Sequence, residues 1–172
     1  MNSRICFVFA LALFAVSAVR AQETSHEDIP KNCPMHAAHS GDKARADSAM
    51  GFDQARTTHH FLLTKDGGAI EVTANDPNDS ASRDQVRTHL SHIAKMFAGG
   101  NFDIPMLVHD QVPPGVPDMK SLKDHIHYTF EPSPAGGRVV IHTEDPAALG
   151  AIHQFLRFQI EEHHTGDALN IQ

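Results

Sequence analysis

Histidine dominates the chemistry this chain could do. It carries 14 histidines in 172 residues, and imidazole is both the commonest metal-ligating side chain and the one that titrates near neutral pH. Two doublets, His59-His60 and His163-His164, lie far apart in the sequence. A lone histidine is ordinarily a hydrogen-bonded core residue, and a doublet at a helix end also answers the negative pole of the helix dipole without any ion. Two doublets that folding could gather at one edge of a domain point instead to a metal site built from His59, His60, His163 and His164. A second group has softer chemistry. Cys33, Met35, His36 and His39 place a thiol, a thioether and two imidazoles within seven residues. Sulfur ligands favour Cu(I), and imidazole suits Cu(II) and Zn(II). Ordering such ligands on a flexible arm costs entropy, so this would be a capture or transfer site. The alternative is a solvated linker.

The doublets need elements to hold them. Gly67-Gly68 followed by Asp76-Pro77 recurs as Gly136-Gly137 followed by Asp145-Pro146, and Phe61 recurs as Phe130, all at an offset of 69. Each copy reads as a β-hairpin followed by a helix. Strands over 57–64 and 69–74 flank a turn at Asp66-Gly67, and strands over 126–131 and 138–143 flank a turn around Ala135-Gly136. Helices follow over 80–97 and 146–163. Val86, Leu90, Ile93 and Phe97 form the stripe of the first, ended by Gly99-Gly100. Leu149, His153, Leu156 and Ile160 form that of the second, at an offset of 63 from the first stripe. A short helix near 119–124 is expected between the copies. The expected fold is α+β: duplicated hairpin–helix units (ββαββα) forming a four-stranded antiparallel sheet with both helices on one face.

Strand alternation assigns the faces. Phe61 and Leu63 turn toward the helices and take His59 with them, while His60 points away. His125, His127 and His142 fall on the outer face beside Leu62 and Val140. With the turn at Ala135-Gly136, Thr129 pairs with His142 and His127 lies diagonally from it, within reach of a shared ion. His163 continues the stripe of the second helix three residues past Ile160. His89 and His92, at i and i+3, read as surface decoration because Leu90 and Ile93 claim a partly different face.

Residues 1–21 carry a basic start (Arg4), an apolar run from Ile5 to Val16 and small-residue cleavage sites, the pattern of a secretory signal peptide cut after Ala21 or Ala18. The run is too short for a spanning helix, so no membrane span is expected after cleavage, and the localisation is periplasmic or secreted. Cleavage after Ala21 removes Arg4 and Arg20, which moves the net charge from -7 to -9. It also removes Cys6 and leaves Cys33 as a lone thiol that a metal could hold. Residues 22–56 read as a flexible arm, 57–167 as the duplicated domain and 168–172 as a tail. A net acidic chain without a basic run is a poor partner for nucleic acid.

Cys33-Pro34-Met35-His36 resembles the Cys-Pro-Met-His signature of heavy-metal-binding segments in bacterial copper-efflux proteins. Met50-Gly51-Phe52-Asp53, Thr58-His59-His60-Phe61 and Arg157-Phe158-Gln159-Ile160 through His163-His164-Thr165-Gly166-Asp167 resemble a family of small secreted bacterial proteins of unsettled function, over most of residues 50–167. Some of those chains carry the label aspartate carbamoyltransferase. The sequence gives that activity no support: the Ser-Thr-Arg-Thr phosphate loop and the His-Pro-Thr-Gln segment are missing, and the chain is too short for two α/β domains. Elbow, P-loop, H-E-x-x-H and haem-attachment motifs are missing too.

The leading expectation is therefore a periplasmic or secreted metal-binding protein for metal capture or tolerance, with copper first and zinc second, no catalytic residues and a metal-transport protein as possible partner. Because neutral imidazole ligates, affinity should fall as pH drops below about 6.5. Two alternatives stand beside it. One is a small enzyme or ligand-binding domain with a pocket around His59 and Tyr128, which are equivalents in the repeat. The other is a dimerisation module joining two copies through Leu62 and Val140.

Overall fold

The computed structural model describes residue 48 and residues 50–172. The signal-peptide reading and most of the arm, with Cys33, Met35, His36 and His39, lie outside the described residues; the last residues of the arm are described, and they are folded against the domain. The chain runs β1 (Thr57–Thr64), β2 (Gly67–Ala74), α1 (Ser80–Ala98), α2 (Asp103–His109), α3 (Val116–Ser121), β3 (Ile126–Pro132), β4 (Gly136–Thr143) and α4 (Pro146–His163). The four strands form one antiparallel sheet in the order β1-β2-β4-β3. The fold is the expected α+β sheet of duplicated hairpin–helix units.

The duplication is visible in the register. Thr57 pairs with Ala74 in the first hairpin and Ile126 with Thr143 in the second, so one ladder maps onto the other at an offset of 69. Where the hairpins meet, Ile70 pairs with Val139. These two residues are each other's equivalents, so a pseudo-two-fold axis passes between them. The helices follow a different offset. Asp79 caps α1 and Asp145 caps α4, each accepting from backbone N–H groups of the first turn, a displacement of 66. At that displacement Val86, Leu90 and Ala94 match Ile152, Leu156 and Ile160, all buried. Asp145-Pro146 does open its helix, with Pro146 in the first turn. Asp76-Pro77 instead precedes its helix, because the first copy has three more residues between hairpin and cap.

Both turns lie one residue earlier than the sequence suggests. Thr64 pairs with Gly67 in the ladder, and Ser133 exchanges reciprocal backbone bonds with Gly136, so Lys65-Asp66 and Pro134-Ala135 make the corners. Gly67 serves the sheet interior. Its φ is +152°, and a Cβ there would lie 1.9 Å from the Ile141 carbonyl oxygen. The glycine lets β2 and β4 approach, and the turn forms without it.

Each helix covers the other copy's hairpin: α1 lies across β3 and β4, and α4 across β1 and β2. The core between them includes Leu63, Val72, Val86, Phe97, Ile141, Ile152 and Leu156, packed from the inward parity of the strands and the stripes of the helices. Ordered packing reaches back past Thr57: Phe52 is 4% exposed and belongs to the core. It also reaches forward past Asp167, because the Gln172 N–H donates to the Leu63 carbonyl on the outer edge of β1.

Between the copies, α3 sits slightly earlier than expected. It is held by Gly115, whose φ of +82° and lack of a Cβ let it approach the Ala151 carbonyl of α4. The helix α2 was not expected, because seven residues containing Pro105 are too short to show a period.

Candidate functional site

Beside β1, under α1, α2 and the end of α4, the core opens into a cavity of about 50 Å3. Its walls are mostly aliphatic and aromatic, yet His59, His89, His109 and His163 all face it, with Met50 and Gln159. Strand parity turns His59 inward beside Phe61. The stripe of α4 delivers His163 as its last helical residue. The His59 and His163 rings stack with centroids 5.5 Å apart and planes 15° from parallel. His109 stands edge-on to His163 at 5.1 Å. Phe52 bridges the remaining gap, stacked on His59 at 5.7 Å and edge-on to His89 at 5.3 Å.

Burial decides the protonation of three of these rings. An imidazolium in an apolar cavity loses its hydration, so the neutral form is favoured. Burial, then the neighbouring His89 and His60, lowers the pKa of His59 to about 4. Burial, then His59, His109 and His164, lowers that of His163 to about 3. Burial and His92 outweigh a bond to the Met50 carbonyl and lower that of His89 to about 4. At neutral pH His59, His89 and His163 are therefore uncharged.

Hydrogen bonding sets one ring apart. Nε2 of His59 is buried and has no hydrogen-bond partner among the described residues. His153 shows the ordinary alternative: it is also buried, and its Nε2 bonds the carbonyl oxygens of Thr64 at 2.9 Å and Gly67 at 3.0 Å, tying α4 to the first turn. His109 Nε2 lies 3.0 Å from Oε1 of Gln159, and its Nδ1 lies 3.9 Å from Glu162. Leaving a buried polar atom unpaired costs about 1–3 kcal/mol.

The doublets thus meet in half. His59 and His163 come together, but their neighbours diverge. His60 points to the outer face, where its Nδ1 lies 2.8 Å from Oδ1 of Asp167, while the other oxygen of that carboxylate accepts from the Phe61 N–H at 2.8 Å. His164 is the left-handed C-cap of α4, with φ of 50°, and is exposed. Neither reaches the cavity, because adjacent residues on a strand or at a helix end point apart.

Two cavity histidines escaped the sequence reading. His89 is partly buried, not surface decoration: it lies three residues after Val86 and four before Ile93, so it flanks the stripe and the stripe is wider than its apolar members. His109 sits on α2; the apolar run Ile104 to Val108, bounded by polar residues, was the available signal.

The expected pairing of His59 with Tyr128 in one pocket does not form. They occupy β1 and β3, the two opposite edges of the sheet, and Tyr128 lines a separate recess with Ser91 and Phe130. Leu62 and Val140 do share the outer face, in one row with Ala69.

Among the described residues, no three His, Cys, Asp or Glu side chains already converge as a metal-holding group. The cavity rings are stacked instead. No protein-family model, curated protein or solved structure matches the chain. What the arrangement offers chemically is a set of imidazoles around a small cavity, three of them held neutral by burial, with a thioether at its wall. No helix among the described residues is long and apolar enough to cross a membrane.

Proposed function

We propose that this is an exported protein that captures a transition-metal ion, copper before zinc, in the cavity beside β1. His59 and His163 are the anchoring ligands in this reading, and His109 and His89 supply further nitrogen donors. The observation that carries it is the unpaired, buried Nε2 of His59 in a cavity faced by three other imidazoles. A neutral ring holds a lone pair without needing to shed a proton, and about 50 Å3 suits an ion better than an organic substrate. The Met50 thioether at the cavity wall favours copper over zinc. Ligation requires the stacked rings of His59 and His163 to turn from their mutual face. Cys33, Met35, His36 and His39 complete the proposal as a separate softer site on the arm, which would deliver or receive the ion, with a metal-transport protein as the partner.

The pseudo-repeat supplies a control that keeps the fold. The counterparts of His59 and His163 in the other half are Tyr128 and Phe97, which pack ring to ring at 5.8 Å. The double variant H59Y/H163F therefore copies a pairing the scaffold already accommodates. Calorimetric titration of the purified protein with Cu(II) and Zn(II) should show uptake that falls at least about 100-fold in affinity in that variant, since both anchoring ligands are gone. Equal binding by the native protein and the variant, with unchanged circular dichroism, would overturn the cavity assignment.

A further inference from the structure

On the other side of the sheet, away from the cavity, a second group of donors comes together. His127 on β3 pairs directly with His142 on β4. The corner at Pro134-Ala135 puts them face to face, where the turn read from sequence left them diagonal. Directly opposed residues on antiparallel strands hold their Cβ atoms about 4.5–5.5 Å apart on the same face. Two imidazoles so placed can reach one ion at bonds of about 2.0–2.1 Å. On its other flank His142 pairs with Gly67, so no side chain competes for the space above it.

Carboxylates surround this pair. Oδ2 of Asp66 lies 3.4 Å from Nδ1 of His142, and Glu144 shares a recess of about 310 Å3 with His125, His127 and His142. Asp145 and Asp124, also in its walls, are committed elsewhere. The first caps α4 through the Ala147 and Ala148 N–H groups, and the second is paired with Lys123. Asp66 also accepts a bond, from the Thr64 hydroxyl, but through Oδ1, which leaves Oδ2 toward His142, whereas two cap bonds fix the Asp145 carboxylate on the helix end; Asp66 and Glu144 are the carboxylates placed to serve. In the described rotamers no three donors converge, but the side chains of His142 and Asp66 are 44% and 52% exposed, and exposed side chains change rotamer on the ps–ns timescale.

We infer that His127 and His142, with Asp66 or Glu144, form a second, surface metal site for a borderline divalent ion of the zinc class. Nitrogen and carboxylate oxygen donors without sulfur favour Zn(II) or Cu(II) over Cu(I), which separates this site chemically from the one in the cavity. It rests on the cross-strand pair and stands whether or not the cavity binds an ion.

The test is zinc chloride titrated into the purified protein by calorimetry, with histidine ring resonances followed by NMR. H127A/H142A should remove one zinc equivalent and leave the stoichiometry at any other site unchanged, while H59Y/H163F should keep that equivalent. D66N/E144Q should weaken it about tenfold, with the His127 and His142 rings still shifting on zinc addition. Zinc uptake identical in the native protein and H127A/H142A overturns the proposal, as does zinc addition that leaves both ring signals unmoved. Loss of copper uptake in H59Y/H163F alone reports on the cavity and not on this face.

Discussion

The two halves of the molecule have the same hairpin register and nearly the same helix stripe, yet they fill the equivalent space differently. In one half Tyr128 and Phe97 meet, and Phe97 stacks on Phe102 at 4.3 Å and stands edge-on to Phe155 at 5.9 Å. Phe97 and Phe102 are fully buried. In the other half His59 and His163 occupy the corresponding positions, His89 and His109 join them, and a cavity remains. The first arrangement gains apolar burial and aromatic contacts. The second gives up part of that gain to hold polar rings; each half keeps an unpaired buried polar atom, His59 Nε2 here and the Tyr128 hydroxyl there. A scaffold that demonstrably closes with aromatic residues does not need imidazoles there for folding. That difference points to chemistry in the histidine half.

Acid should separate the halves most strongly. His59, His89 and His163 have folded pKa values lowered to about 4, 4 and 3, against about 6.5 when unfolded. Between those values the unfolded chain binds more protons, so stability is complete above about pH 6.5 and falls as pH drops toward 4. Each ring should cost roughly 2 kcal/mol between pH 6.5 and 4.5 in the metal-free protein. Urea unfolding across that range measures it, and H59Y/H163F should remove most of the slope. A stability that is flat from pH 7 to 4.5 would show that the buried rings are not held neutral.

Making the aromatic half resemble the histidine half should be nearly as costly. F97H removes a fully buried ring from the Phe102 and Phe155 contacts and should destabilise by about 3–5 kcal/mol, read as a lower denaturation midpoint. The reverse exchange should have a smaller effect. Metal-free H59Y/H163F exchanges one unpaired polar atom for another, because the Tyr128 hydroxyl it copies is itself unpaired, and should gain about 1–2 kcal/mol from the added apolar ring surface; a loss of similar size would mean that the histidine half is packed for its rings. The smallest effect is expected at the edge of β1. Asp167 satisfies both the Phe61 N–H and the His60 ring, so D167A should cost about 1–2 kcal/mol and speed hydrogen exchange at Phe61, without changing metal uptake in the cavity.

Much of the fold was legible because its signals are local. Alternation at Phe61 and Leu63 gave the inward face, the 4-3-4 spacing from Val86 to Phe97 gave α1, and Thr165-Gly166-Asp167 gave the end of α4. The turns were read one residue late because Gly67 and Gly136 look like corner residues but serve close approach of the inner strands. The site was legible in part. His59 and His163 follow from parity and stripe, whereas His89 was hidden beside apolar neighbours and His109 lay in a helix too short to show periodicity.

Sequence alone determined the four strands and the two long helices, the inward direction of His59 and His163 and the existence of a repeat, because side-chain direction in a strand or helix follows from backbone geometry within a few residues. The tertiary structure alone decided that these two rings stack, that His164 turns away from them, that His89 and His109 close the cavity and that His127 faces His142. Those outcomes depend on how α4 crosses onto the first hairpin and on the register set by each turn. The stacking of His59 on His163 joins residues more than a hundred positions apart, and no local pattern encodes such contacts.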